Sequence, residues 1–213
     1  MSGKWYAAGG NDKGQLGLGH TNEVCAFTEV AGDWGKITAV VCERWHTFMR
    51  SEHGKWYAVG LNNHGQLGLG HTNKVCAFTE VKDMGGWGKI VAVECGGYHT
   101  FMRSEHGKWY ATGLNYYGQL GLGYTNNVCA FEEVAGVWGK IVAVECGWRH
   151  TFILKGKTCR KCGCCFTPTK LSDEMLMAVK IPDICIDMIF KIIKLYARMS
   201  ENQDCSRGGY CHC

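Results

Sequence analysis

Proline is almost missing from this chain: Pro168 and Pro182 are the two in 213 residues, and none precedes them. That excludes polyproline linkers and collagen-like segments. Long apolar runs are missing too. No stretch reaches the roughly 18 uncharged apolar residues of a membrane-spanning helix. The opening Met1-Ser2-Gly3-Lys4-Trp5-Tyr6 has no apolar core of the kind a secretory signal needs. Charge of one sign is scarce as well. Lys and Arg number 23 against 19 Asp and Glu, and a net +4 is too mild to argue for nucleic acid by itself. With 46% hydrophobic and 20% charged residues, the composition is that of a globular protein.

What is abundant is glycine, 30 residues, and cysteine, 14. Their placement divides the chain. Residues 1–152 hold 26 of the glycines, all eight tryptophans and six cysteines, with 13 basic and 13 acidic residues. Residues 153–213 hold eight cysteines and both prolines, with 10 basic and 6 acidic residues, so the net charge lies in the tail. Without an export signal, the cysteines are expected as reduced thiols or metal ligands, in an intracellular protein of the cytoplasm or nucleus.

A repeat organises the first part. Gly3-Lys4-Trp5-Tyr6-Ala7 recurs at 54–58 and 107–111, at spacings of 51 and 53. Residues 3–30 match 54–81 at 23 of 28 positions, and 54–81 match 107–134 at 22 of 28. Each unit continues with Gly-Gln-Leu-Gly-Leu-Gly (14–19, 65–70, 118–123), Val-Cys-Ala-Phe (24–27, 75–78, 128–131) and Trp-Gly-Lys-Ile (34–37, 87–90, 138–141). A Cys-x-x-x-His-Thr-Phe closes it (42–48, 95–101, 146–152). Periods near 50 belong to propellers and solenoids.

The unit reads as four short strands. Ile37–Cys42 and His46–Arg50 are β-rich, Ser51-Glu52-His53-Gly54 turns into Trp56-Tyr57-Ala58, and the Val-Cys-Ala-Phe run follows a Gly-rich crossover. Gly14-x-x-Gly17-x-Gly19 is no phosphate loop: it lacks the Lys-Ser/Thr pair and occurs three times in equivalent places.

Asn-x-x-Gly-Gln-Leu-Gly-Leu-Gly followed by the Cys…His-Thr strand resembles the regulator of chromosome condensation repeat, named for the chromatin-bound exchange factor of a small nuclear GTPase. The resemblance covers about 1–155. It implies a β-propeller, usually seven-bladed, serving as an exchange factor, a chromatin-docking module or an interaction platform. The chain departs in having three repeats, in Glu43 where the other units carry Gly96 and Gly147, and in lacking a long insertion of the kind that forms the exchange factor's wedge.

His46, His99 and His150 recur once per unit. A catalytic histidine has no reason to repeat, so each is expected as a buried imidazole bonded to a neighbouring blade's backbone. Cys42, Cys95 and Cys146 read as small core residues, and Cys25, Cys76 and Cys129 as core-facing or half-buried thiols. The Lys-Trp-Tyr and Trp-Gly-Lys aromatics read as inter-blade packing.

Function is sought where the units differ. The turn before His-Thr reads Glu43-Arg44-Trp45, Gly96-Gly97-Tyr98 and Gly147-Trp148-Arg149; the loop before Gly-Gln-Leu carries Asp12-Lys13, Asn63-His64 and Tyr116-Tyr117. Equivalent loops of a propeller share a face, and Arg, Trp and Tyr are enriched at binding hot spots. Arg44, Trp45, Tyr98, Trp148, Arg149, Tyr116 and Tyr117 are the candidate binding residues, against the alternative of drift at solvated tips.

In the tail, Cys159-x-x-Cys162 with Cys164 and Cys165 could hold a structural zinc. Free thiols and lipidation of the terminal Cys211-His212-Cys213 remain alternatives. Pro182 opens a helix over about 183–199 with an Asp183, Asp187, Lys191, Lys194, Arg198 stripe and a broad Ile/Met arc.

The expectation is an all-β repeat domain over 1–154, a partial or oligomer-completed β-propeller of three four-stranded blades, with a small α-helical, Cys-rich extension over 155–213. Three blades leave two open edges. Docking of the tail helix as a cap is favoured over homo-oligomeric pairing of two chains. The expected function is a protein–protein interaction scaffold without catalysis, small-molecule substrate or cofactor beyond the tail zinc. Guanine-nucleotide exchange on a small GTPase is the alternative, and chromatin or DNA docking a further one.

Overall fold

In a computed structural model of the chain, residues 4–136 and 141–155 are described, and all belong to one unit. They form twelve strands: β1 (Tyr6–Gly9), β2 (Val24–Glu29), β3 (Ile37–Cys42), β4 (His46–Ser51), β5 (Trp56–Gly60), β6 (Val75–Glu80), β7 (Ile90–Cys95), β8 (His99–Ser104), β9 (Trp109–Gly113), β10 (Val128–Glu133), β11 (Ile141–Cys146) and β12 (Thr151–Lys155). The strands make four antiparallel sheets, ordered β1-β2, β3-β4-β5-β6, β7-β8-β9-β10 and β11-β12.

The four strand types are those the sequence marks out, but their grouping corrects the expectation of three four-stranded blades. Among the described residues there are two complete blades flanked by two halves. Strands one and two of each blade come from the end of one repeat, and strands three and four from the start of the next. Three repeats in this phase leave β1-β2 as a last half and β11-β12 as a first half. The tail helix, its capping role and the cysteines at 159–165 lie outside the described residues.

Local chemistry explains the hairpins. The β4–β5 turn closes with Gly54 N–H donating to Ser51 C=O at 2.9 Å. Gly54 has φ +80°, a left-handed conformation that glycine takes without steric penalty. Asn62, fully buried, organises the long β5–β6 crossover. Its Oδ1 accepts from Leu67 N–H at 3.0 Å, while its Nδ2 donates to His71 and Asn73 carbonyls at 2.8 and 3.1 Å. Asn11 does the same one repeat earlier. The motif's asparagine is thus the peg of the loop.

Each crossover leans on the following blade. Gly19 N–H bonds Cys76 C=O and Gly70 N–H bonds Cys129 C=O, both at 2.8 Å, beside the bridges Leu18–Ala77 and Leu69–Ala130. Gly17 and Gly68, at φ +72° and +65°, lie flat on Phe78 and Phe131; a Cβ there would come within 2.4 and 2.2 Å of the rings. The core is continuous across blades: Phe48, Trp56, Leu67, Ile90, Val93, Met102, Tyr110 and Phe131 pack together. Trp56 Nε1 donates to Ile90 C=O at 3.2 Å and Trp109 Nε1 to Ile141 C=O at 3.3 Å, so these indoles do join blades. Trp34 and Trp87 lie edge-on to Phe78 and Phe131, and Trp87 also belongs to the core that Phe48 and Trp56 of the preceding blade share.

The cysteines follow the same phase. Cys95 is buried, Cys76, Cys129 and Cys146 are half-buried, and Cys25 and Cys42 are exposed. The uniform burial expected for Cys42, Cys95 and Cys146 holds only where a neighbouring blade covers the site. Among the described residues, Cys42 ends β3, the first strand of the first complete blade, and only the half-blade β1-β2 precedes that blade.

Candidate functional site

Three tight turns present the variable residues. Glu43 N–H donates to His46 C=O at 3.0 Å, Gly96 to His99 at 2.8 Å and Gly147 to His150 at 2.9 Å. Each turn has two residues at its tip: Arg44-Trp45, Gly97-Tyr98 and Trp148-Arg149. Because every crossover leans forward, the tip of one crossover meets the turn of the next sheet. Lys13 Nζ lies 5.6 Å from the Trp45 ring centroid. His64 sits edge-on to Tyr98 at 5.6 Å. Arg149 Nη1 donates to Tyr117 Oη at 3.0 Å, with its guanidinium 5.2 Å from that ring.

The structure therefore brings all seven predicted residues to one face. Arg44 stands 4.5 Å over Trp45, and Arg149 5.3 Å from Trp148. Tyr98 and Trp148 stack across the junction between sheets, 6.3 Å apart with planes 20° askew. Tyr116 and Tyr117 meet edge-on at 5.0 Å. Gly97 makes the stacking possible: a Cβ at this position would lie 1.9 Å from the Trp148 ring. Tyr116, Tyr117 and Trp148 are 72%, 55% and 52% exposed, a large aromatic area left to solvent. A shallow cleft runs between Glu43, Arg44, Gly97, Cys146 and Trp148. Lys13 and His64 belong to the same face although sequence comparison did not select them. Their signal was present, since both occupy the variable loop position, but their residue types gave no reason to choose them.

Beneath this face runs a buried relay. His46 Nε2 is 3.2 Å from Thr100 Oγ1, which donates to Gln66 C=O at 2.8 Å. His99 Nε2 is 2.8 Å from Thr151 Oγ1, which donates to Gln119 C=O at 2.8 Å. The threonine's proton is committed to the carbonyl, so the histidine must donate through Nε2–H, which assigns the tautomer. The partner of each imidazole is thus a neighbouring blade's hydroxyl, where backbone was expected. His150, the third of the series, is exposed. Burial pushes His46 down to about 3 and His99 to about 4, with the adjacent histidine's charge a lesser cause. Both rings are neutral at physiological pH and act as structural links.

Among the described residues no group of three or more His, Cys, Asp or Glu is arranged to hold a metal, and no helix is long and apolar enough to cross a membrane.

Repeated four-stranded antiparallel sheets, each clamped to the next by a Gly-rich crossover and a His–Thr link, define a repeat protein of the β-propeller type. A family model described as the regulator of chromosome condensation (RCC1) repeat matches residues 53–102 and 106–154, and a second model of that repeat matches 90–119. Residues 53–154 are repeats of the RCC1 family. Over 148 residues it is 34% identical to the secretion-regulating guanine nucleotide exchange factor of Bos taurus, a match covering 68% of this chain and 32% of that protein. It is 36% identical over 132 residues to the X-linked retinitis pigmentosa GTPase regulator of Homo sapiens, covering 62% of this chain and 13% of that one. Among solved structures it is similar to Prp20p of Saccharomyces cerevisiae, whose binding properties to Gsp1p and histones have been described. That likeness has a TM-score of 0.61 at 19% identity, covers 70% of this chain and 39% of the other, and speaks to fold alone. The chain spans about a third of the length of the exchange factor it matches.

Proposed function

We propose that this chain is a protein-docking module whose contact surface is the turn face of Arg44, Trp45, Tyr98, Tyr116, Tyr117, Trp148 and Arg149. The observation that carries this reading is the convergence of exposed aromatic rings and two guanidiniums on one side of four sheets. Flat aromatic area with arginine at its margins is the surface type from which binding hot spots are built. The fixed framework beneath, with its neutral histidine links, holds those side chains in place without chemistry of its own. The partner expected is a protein that offers acidic side chains to Arg44, Arg149 and Lys13 around an apolar centre.

Small GTPases are the first class of partner to test, because relatives are named as a guanine nucleotide exchange factor and a GTPase regulator. Binding to a panel of purified GTPases, with release of a fluorescent GDP analogue followed in parallel, separates docking from exchange. Docking predicts saturable binding that Trp148→Ala with Arg149→Ala weakens by about tenfold or more, in line with loss of a hot-spot pair, and no acceleration of release. Stimulated release well above background would make exchange the function instead. Binding to DNA or nucleosomes that falls steeply with added salt would favour chromatin docking.

A further inference from the structure

The two half-blades are the two halves of one blade. The half β11-β12 supplies strands one and two of the blade pattern, and β1-β2 supplies strands three and four. We infer that they complete one another between molecules, β12 of one chain pairing with β1 of a second copy in a head-to-tail joint.

The complete blades give the register. In both, strand two pairs with strand three as His46–Gly60, Phe48–Ala58, Arg50–Trp56 and as His99–Gly113, Phe101–Ala111, Arg103–Trp109. Carried to the ends, His150 meets Gly9 of the second copy, Phe152 meets Ala7, and Leu154 meets Trp5. No other described strand pairs with the outer edge of β12 or of β1.

Burial points the same way. Phe48 and Phe101 are 1% and 2% exposed, yet Phe152, their counterpart, is 51% exposed. Trp56 and Trp109 are 6% and 4% exposed, against 44% for Trp5. Each residue left open at one end is one that a complete blade buries, so the joint withdraws large aromatic area from water.

Two further links find their missing partners. His46 and His99 each bond the threonine of the next blade's second strand, Thr100 and Thr151. His150 is the unlinked donor of that series, and Thr47 is its unlinked acceptor; Thr47 already donates to Gln15 C=O at 2.9 Å, as the other threonines do to their glutamines. In the completed blade His150 of one chain stands beside Thr47 of the second copy. The crossovers match as well. Gly17 covers Phe78 and Gly68 covers Phe131, while Gly121 holds the same left-handed φ of +65° with nothing within 4 Å of its Cβ position. Its counterpart is Phe27, 80% exposed, on β2 of the second copy. The crossover at 118–123 is already shaped for a strand four that none of the described strands of its own chain provides.

One end therefore carries β12, His150 and Gly121, and the other carries β1, Phe27 and Thr47. The contact is heterologous, and two chains close it twice, as a ring of six blades.

Light scattering on the full chain at micromolar concentration tests this, and the expected mass is twice the 23.6 kDa of one chain. Trp5→Glu alters one side of the joint and Phe152→Glu the other. Both sites are exposed in the single chain, and circular dichroism with near-ultraviolet spectra verifies that each variant is folded. Each variant alone is expected as a monomer, since every joint then contains one altered side. An equimolar mixture should regain a dimer, because the intact tail end of one variant fits the intact head end of the other. Tyr6→Glu and Ile153→Glu give a second such pair should either variant misfold. A monomeric parent chain overturns the inference. So does a dimer that only one of the two substitutions dissolves, or one that the mixture fails to restore, since those mark a symmetric contact.

Discussion

Acid should destabilise this protein well before its carboxylates titrate. His46 and His99 have ordinary values of 6.5 when the chain is unfolded and about 3 and about 4 when it is folded, because burial disfavours the imidazolium. Each Nδ1 is buried with no hydrogen-bond partner, so a second ring proton would have no acceptor. Below pH 6.5 the unfolded chain takes up protons that the folded chain refuses. Stability is therefore complete above that value and is lost as pH falls toward the folded-state values. Between pH 7 and pH 5 each histidine removes about 2 kcal/mol, together about 4 kcal/mol. That is a large share of the roughly 5–15 kcal/mol typical of a folded domain. Partly buried His64, also lowered, adds a contribution of the same sign. Urea unfolding followed by tryptophan fluorescence, at fixed protein concentration from pH 7 to pH 5, reads the effect. Near pH 5 the two sites give a slope of about 3 kcal/mol per pH unit. His99→Gln should lower stability at pH 7 and cut that slope to about half. A stability independent of pH over this range, or a variant that keeps the full slope, would refute the reasoning.

Thr100→Val removes the hydroxyl between His46 and Gln66. It leaves a buried N–H and a carbonyl unpaired and should destabilise by about 2–4 kcal/mol in the same urea assay. Gly68→Ala forces a residue with Cβ into φ +65° and against Phe131, so its melting temperature should fall clearly, while Gly121→Ala, equally strained but facing open space, should fall less in a monomeric background such as Phe152→Glu. Glu80→Gln breaks the exposed pair with Lys55, and urea midpoints should stay within error of the parent.

Much of the fold could be read from the chain alone. Three copies of one motif placed all four strand types, because β-rich runs bounded by glycine turns are local signals. The repeat comparison also found the candidate face: Arg44, Trp45, Tyr98, Trp148 and Arg149 vary where their neighbours do not, and a repeated fold carries equivalent turns to the same side. The Ser51–Gly54 hairpin, which joins the end of one repeat to the start of the next, was legible too, but the count of three blades did not follow from it: paired in that phase, three repeats become two whole blades and two halves. That phase decides the burial of residues identical in sequence. His46 and His99 are neutral links in a closed core, while His150, in the same motif, stands open. Cys95 is buried where Cys42 is exposed. The stacking of Trp148 on Tyr98 likewise required Gly97 to sit beneath the indole, a contact between sheets 51 residues apart in the chain. Sequence determined the repeated unit and its variable tips. Tertiary structure decided which copies of each residue have a neighbour, because burial comes from the adjacent sheet and not from the residue's own strand.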